Sequence, residues 1–354
     1  MRVCATLLLC LSGAWVLYGQ DASGRDAGWR FSNRLQAGWE TDSNVREELR
    51  DGLRSESTRF LFESKARRKW SRHSVQWAYR GGLQLYNKLS SEHKLIQEAE
   101  AGLHLPVTPT VQISTQLWGR VKLFLNQDAD YAYGKGQISL SKRFPAGFAI
   151  KGGVNGEVLD YAQSSYYNFG GPGYYLQVQY DFNRHLHATA FFSGQGYTFK
   201  RQALSSGDVH YGLAAPGDRQ KDLLNSTGGR LDISWSGFLA QAGYRFEQNE
   251  SNSFAHDYSR HVVDIMVVKT FAGLYFRALG TLQKKSYPGD LVPFWPLQLD
   301  TEREENNYLV LDVSRALTPA FDLLLRAAWY RNESIWADLY YKKTLFTLSG
   351  ELHF

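Results

Sequence analysis

Histidines are the residues of this sequence whose spacing could begin a metal site. His185 and His187 lie two residues apart, so their side chains would point the same way on a β-strand. Two such side chains could start a zinc site, but no third ligand is visible near them in the sequence. His104 and His353 are each predicted to be isolated. We therefore predict no metal site and no cofactor.

A hydrolase acting on membrane lipid would need a serine and a histidine side by side, with a third group orienting the histidine. The predicted outer faces of the strands contain almost no histidine, and no predicted strand places serine and histidine at neighbouring outward positions. Glycine pairs such as Gly152-Gly153 and Gly170-Gly171 do not fall in strand–turn–helix units, so they are not phosphate loops. We predict that the protein is not an enzyme.

Four arginines, Arg80, Arg120, Arg245 and Arg326, lie in the middle of predicted β-strands on the polar face. Guanidinium groups there could contact an anionic solute if this face lines a channel. Lys and Arg total 40 against 35 Asp and Glu, which gives a formal net charge of +5. Because these basic residues are scattered rather than gathered in a patch, nucleic acid is not an expected partner.

The strands that would position these arginines are predicted from an alternating pattern. Apolar residues recur at every second position along most of the chain, which is typical of strands with one apolar face. We count about sixteen such segments, with 14 or 18 as alternatives. Short connections alternate with longer ones, which is typical of barrels in bacterial outer membranes. The predicted fold is all-β: a transmembrane, antiparallel, up-and-down barrel.

Three of the longer predicted connections span residues 160–172, 199–226 and 284–307. The connection 199–226 is polar and glycine-rich, and it could gate a pore. The connection 284–307 contains Phe294 and Trp295 within an apolar run that does not suit a solvated tip. Three roles stay open for that run: constriction of the lumen, docking of a partner or lipopolysaccharide, and packing on the surface.

The start of the chain has the features of a secretory signal peptide. Arg2 precedes an apolar run over Val3–Leu17, and a polar segment begins at Gln20. We place the signal peptide at residues 1–19 and the barrel at residues 20–354. Both cysteines of the sequence fall within the signal, so no disulfide is expected after cleavage. The predicted location is the bacterial outer membrane.

The last predicted strand ends the chain with an alternating apolar face made of Phe346, Leu348, Leu352 and Phe354. A strand that closes on a terminal phenylalanine resembles the last strand of Gram-negative outer-membrane proteins. In those proteins the barrel insertion machinery reads this segment. The resemblance implies the same machinery as a partner here.

Trp29 and Trp39 share one face of the first predicted strand and lie ten residues apart. At about 3.3 Å per residue and a tilt of about 40°, this separation spans about 25 Å along the membrane normal. That height matches the apolar band of an outer-membrane barrel. We predict that the two tryptophans belong to the two aromatic girdles at the membrane surfaces.

The predicted inner faces carry many charges of both signs, with an excess of cations. So many charges cannot be buried without water unless they are fully paired. A water-filled lumen is the simpler interpretation, and sixteen strands make one wide enough. The cationic excess then predicts a mild preference for anions. In the alternative, the charges pair across strands and only stabilise the wall.

The segment Gly38–Val45 reads Gly-Trp-Glu-Thr-Asp-Ser-Asn-Val. It resembles a stretch at the end of the first strand in barrels of exopolysaccharide export, of surface lipoprotein assembly, and of a broad group of porins. Exporters of these classes often carry a helical-repeat domain before the barrel. Only about eight residues separate the predicted signal from the first strand, which favours a stand-alone porin. Asp42, Ser43 and Asn44 are also turn formers that bind their own backbone, which is a sufficient explanation of the motif.

The leading functional prediction is an outer-membrane channel for passive diffusion of small polar solutes, with mild anion preference. One alternative is a conduit for export of exopolysaccharide or a surface protein. A second alternative is an outer-membrane enzyme that modifies lipid. Membrane lipid and lipopolysaccharide are expected around the barrel, and a homo-oligomer is left open.

Overall fold

The structure, a computed structural model, describes residues 28–46, 52–127, 129–163, 165–204, 214–254, 256–288, 307–332 and 341–354. The strands in these ranges are β1 (Trp29–Asp42), β2 (Ser55–Trp70), β3 (His73–Tyr86), β4 (Lys94–Pro106), β5 (Val111–Phe124), β6 (Tyr131–Arg143), β7 (Phe148–Tyr161), β8 (Phe169–Asp181), β9 (Leu186–Leu204), β10 (Ala214–Trp235), β11 (Phe238–Ser251), β12 (Tyr258–Phe271), β13 (Leu274–Ser286), β14 (Asn307–Thr318), β15 (Phe321–Asn332) and β16 (Tyr341–His353).

These strands form one closed antiparallel barrel in which each strand pairs with its neighbours in the chain and β1 pairs with β16. The all-β, up-and-down, sixteen-strand prediction is therefore confirmed. In the described connections, two short 3₁₀ helices occur, at Ser90–Glu92 and Ser165–Tyr167. Among the residues that the structure describes, no helix combines the length and apolarity needed to cross a membrane.

Apolar side chains cover the outer face of the barrel, since alternate positions of each strand point outward. Trp29 and Trp39 lie on this face of β1, with exposed fractions of 41% and 44%. The outer face of β16 carries four further exposed side chains, Phe346, Leu348, Leu352 and Phe354. The structure thus places all six residues outward, while their roles in the girdles and in insertion stay predictions.

The turn that follows β1 holds the seam between β1 and β16. The backbone N–H of Asn44 donates to Asp42 Oδ1 at 2.9 Å. The N–H of Thr344 donates to Ser43 Oγ at 2.8 Å, and Asn44 Nδ2 donates to the carbonyl oxygen of Lys342 at 3.2 Å. Asp42, Ser43 and Asn44 therefore act as turn formers and also bind the backbone of the closing strand.

Two predicted connections are wrong in their bounds. The predicted connection 160–172 is shorter, because β7 continues to Tyr161 and β8 begins at Phe169. The predicted connection 199–226 is largely strand, since β9 reaches Leu204 and β10 begins at Ala214. Backbone pairing continues through these polar, glycine-rich residues without the apolar alternation that marks the other strands.

Pro172 lies inside β8, although proline has no N–H to donate to a neighbouring strand. Pairing between β8 and β9 skips this position and resumes at Gly173 opposite Gln195. The side-chain amide of Gln195 donates to the carbonyl oxygens of Gly171 and Gly196, at 3.0 and 3.2 Å. A Cβ on Gly171 would lie 1.9 Å from the Gly196 oxygen, so only glycine fits there. A side chain thus replaces the lost ladder bonds and lets the strand continue.

Gln195→Ala is expected to lower the free energy of unfolding by about 1–3 kcal/mol, because two partly buried carbonyl oxygens lose their donor. Urea unfolding of the barrel refolded in lipid vesicles, followed by tryptophan fluorescence, measures this change. Gln179→Ala is the matched control, since its amide donates to the Asp181 carboxylate and to no carbonyl of an interrupted ladder. Equal effects of the two substitutions would contradict the repair role of Gln195.

Candidate solute pathway in the barrel lumen

A cavity of about 900 Å³ lies inside the barrel, lined by inward side chains from β6 to β15. Tyrosines and amides form much of its wall: Tyr133, Tyr175, Tyr197, Tyr308, Tyr330, Gln137, Asn155, Gln177 and Gln195. Within the part of the chain that the structure describes, the charged lining residues are six cations and three carboxylates: Lys135, Lys151, Arg245, Arg260, Arg277, Arg326, Glu157, Glu247 and Asp264. The wall is therefore polar, aromatic and richer in positive than in negative charge.

Asp312 forms ion pairs with two of these arginines and is itself buried between them. Its side chain is 2% exposed, and it lies between Arg277 on β13 and Arg326 on β15. Arg326 Nε donates to Oδ1 at 2.7 Å, and Arg277 Nε donates to Oδ2 at 2.9 Å. One buried carboxylate thus orients two guanidinium groups toward the lumen.

Glu247 on β11 has the same role for a second pair of arginines. Arg245 contacts its carboxylate at 2.6 Å, and Arg260 on β12 contacts it at 2.5 Å. Lys151 differs from these cations, because within the described residues its ammonium group makes no ion pair and lies 5.7 Å from the centre of the Tyr175 ring. Lys151 therefore presents an uncompensated positive charge to the cavity.

The rest of the inner wall carries a row of ion pairs that we call the charge belt. Its six members lie on six successive strands from β16 to β5 and alternate in sign: Glu351, Arg34, Glu63, Arg80, Glu98 and Arg120. The contacts between neighbours measure 3.4, 2.7, 3.7, 3.6 and 2.7 Å in that order. The six belt residues are three acids and three bases, and Lys65 adds a further cation beside Glu63.

The four arginines singled out from the sequence all point inward. Arg245 and Arg326 line the cavity, whereas Arg80 and Arg120 belong to the charge belt. Each of the four contacts a carboxylate. Ion pairing in the wall and charged side chains facing the lumen, which the sequence left as alternatives, therefore both occur. Arg260 is a further lining residue that sequence reasoning missed, because the predicted strand began one residue later. Solute contact by these arginines stays a prediction.

An aromatic cluster faces inward near the end of the barrel that has the long loops. Tyr131, Leu159, Phe169 and Phe199 are buried there against one another. The ring of Tyr167, in the loop between β7 and β8, lies 5.8 Å from that of Tyr161 beside the cluster. The inner face therefore combines charged residues with a buried aromatic cluster. Phe294 and Trp295, for which constriction of the lumen is one of three open roles, lie outside the described residues.

The histidines have more neighbours than the sequence suggests. His187 Nδ1 lies 2.7 Å from Asp181, whereas His185 Nδ1 lies 2.7 Å from the Ser234 carbonyl oxygen, so the two rings serve different partners. The prediction that His353 is isolated from other potential metal ligands is wrong. His353 Nε2 lies 3.1 Å from Asp322 Oδ2, although 31 residues separate the two in the sequence. His104 Nδ1 instead lies 3.0 Å from Ser114 Oγ.

The expectation that no strand pairs serine and histidine on its outer face is also wrong. Ser259 and His261 occupy alternate positions on the outward face of β12, where His261 and its neighbour Val263 are exposed. The Nδ1 atom of His261 lies 2.8 Å from the Tyr244 hydroxyl. Within the described residues Ser259 and His261 share no hydrogen bond, so they do not form the activated pair that a hydrolase needs.

Comparison with solved structures places this architecture among known barrels. OprB of Pseudomonas putida is 8% identical and matches with a TM-score of 0.50, covering 92% of this chain and 94% of its own. The fold is that of a porin-like outer-membrane β-barrel. OccAB1 of Acinetobacter baumannii, 9% identical, gives a TM-score of 0.49 over 95% of this chain and 99% of its own.

A third similar structure is a loop-deletion mutant of OmpT, an outer membrane protein of Vibrio cholerae. It is 10% identical, with a TM-score of 0.47 over 93% of this chain and 100% of its own. No protein-family model and no curated protein sequence matches the chain. At identities this low the likeness concerns the fold alone, so the function has to be argued from the lumen.

Proposed function

We propose that the barrel is an outer-membrane channel for passive diffusion of small polar solutes, with a mild preference for anions. The observation that carries this proposal is the cavity inside the lumen, whose tyrosine, amide and charged side chains can exchange hydrogen bonds with a passing solute.

The anion preference is supported by where the charges lie. The cavity is lined by six cations against three carboxylates, and Asp312 beneath the wall adds one more negative charge. In contrast, the charge belt contributes as many acids as bases. A surplus of fixed positive charge around a water-filled passage raises the local concentration of anions.

Single-channel recording of the refolded barrel in a planar bilayer tests the proposal. We expect stable conductance steps and, under a salt gradient, a reversal potential that indicates anion selectivity. A barrel that stays silent, and conducts only when residues 287–299 are deleted, would instead favour the conduit for exopolysaccharide or surface-protein export. Open steps with cation selectivity would retain the channel but overturn the anion preference.

A further inference from the structure

Three potential metal ligands meet inside the lumen at the end of the barrel that has the short turns. Asp322 on β15 pairs in register with Glu351 on β16, and His353 lies two residues beyond Glu351 on the same inward face. Ligand atoms from the three side chains all lie within 4.8 Å of one another. The cluster lies outside the cavity and the proposed solute contacts.

The backbone holds these three side chains in place. Asp322 and Glu351 are direct cross-strand partners, and the N–H of His353 donates to the carbonyl oxygen of Ala320 at 2.8 Å. The Nε2 atom of His353 lies 3.1 Å from Asp322 Oδ2. Ligands on a tetrahedral zinc ion lie about 3.3 Å apart, given bonds of about 2.0–2.1 Å. The imidazole and one carboxylate therefore already have the separation of two zinc ligands.

We propose that Asp322, Glu351 and His353 bind a Zn²⁺ ion at this mouth of the lumen. An imidazole nitrogen with two carboxylate oxygens suits zinc, whereas calcium and magnesium prefer oxygen ligands alone. Three protein ligands leave the fourth position of a tetrahedral ion for water or a solute. The Asp322 and His353 side chains are 28% and 41% exposed, so an ion can reach them from the lumen.

Arg34 is the group that competes with a metal ion for Glu351. Its Nη1 atom lies 3.4 Å from the Glu351 carboxylate, but its Nη2 atom donates to Glu63 at the shorter distance of 2.7 Å. Arg34 can therefore keep Glu63 as its partner when Glu351 turns toward an ion. The two carboxylates of the cluster then face zinc without a fixed cation between them.

Isothermal titration calorimetry of the refolded barrel with Zn²⁺ tests this site. We expect one saturable site, with affinity at least about tenfold lower in His353→Asn and in Asp322→Asn, since even outer-shell partners of a metal contribute that much. His104→Asn is the matched control. His104 also faces the lumen near the short-turn end, but its neighbours are Ser114 and Gln112 rather than carboxylates.

Retention of the β-sheet circular dichroism spectrum identifies variants that are folded. Titration with Mg²⁺ is a second measurement on the unaltered barrel, and it is expected to show no binding at the concentrations at which Zn²⁺ saturates. Two results overturn the proposal: absence of saturable Zn²⁺ binding to the unaltered barrel, or equal Zn²⁺ affinity in the folded His353→Asn, Asp322→Asn and His104→Asn variants. Neither result depends on whether the barrel conducts ions.

Discussion

Replacing Asp312 with alanine is expected to lower the free energy of unfolding by about 3–5 kcal/mol. Removal of one partner from a buried ion pair leaves its other members uncompensated. Here the lost carboxylate is 2% exposed and holds both Arg277 and Arg326, so two guanidinium groups would repel each other across β14. Urea unfolding of the barrel in lipid vesicles, followed by tryptophan fluorescence, gives the change in free energy.

Lys200→Ala is the matched control for this experiment. Lys200 pairs with Asp160, and the two side chains are 55% and 50% exposed. Exposed pairs contribute only about 0–1 kcal/mol, so the control should unfold almost as the unaltered barrel does. If Asp312→Ala were no more destabilising than Lys200→Ala, water in the lumen would be screening Asp312 and its two arginines, and the role of Asp312 in orienting them would be wrong.

Reversing two lumen charges is expected to make the channel cation-selective. Lys151→Glu combined with Arg245→Glu changes the charge of the cavity wall by four units. A unit charge at about 10 Å in water contributes about 0.4 kcal/mol, and salt reduces that further. Because four units of charge act oppositely on anions and cations, they shift the ratio of cation to anion permeability by about tenfold. The reversal potential in a planar bilayer under a salt gradient measures this ratio.

Lys151 is chosen because it pairs with no acid among the described residues. Arg245→Glu places a glutamate against Glu247, but Glu247 keeps Arg260 as a counter-ion. Retention of the β-sheet circular dichroism spectrum in the double variant separates a change in selectivity from a change in folding.

Lys142→Glu combined with Lys269→Glu makes the same change in net charge on the outer face. The two lysines lie beside Phe144 and Phe238, near the short turns that follow β6 and β12. We expect this control to leave ion selectivity nearly unchanged. If both double variants moved the reversal potential equally, the net charge of the protein would control selectivity and the cavity would not.

Most of the fold could be predicted because strand alternation is a local property. A strand places successive side chains on opposite faces, so a barrel with an apolar outside and a polar inside shows its strands and faces in the sequence. The prediction failed at Pro172 and along the hairpin of β9 and β10, where polar and glycine-rich residues remain in strand. At Pro172 the repair depends on Gln195, a side chain from the next strand that no local pattern reveals.

The lumen could be predicted only in part. Arg245 and Arg326 were found from alternation, but alternation does not say which carboxylate each arginine meets. Arg34 and Glu351 are 317 residues apart in sequence, and they meet only because the barrel closes. The cluster of Asp322, Glu351 and His353 could not be predicted for the same reason, since Asp322 and His353 are 31 residues apart on strands whose register is set by pairing.

By itself the sequence determined the class of fold, an approximate number of strands, and which side chains point outward or inward. Each of these follows from a period of two within a single segment, so neighbouring residues suffice. The tertiary structure decided which inward charges neutralise one another and which remain to act on a solute. Those outcomes depend on register and closure, which bring residues from distant segments to within hydrogen-bonding distance. The balanced charge belt and the cationic cavity are therefore properties of the closed barrel.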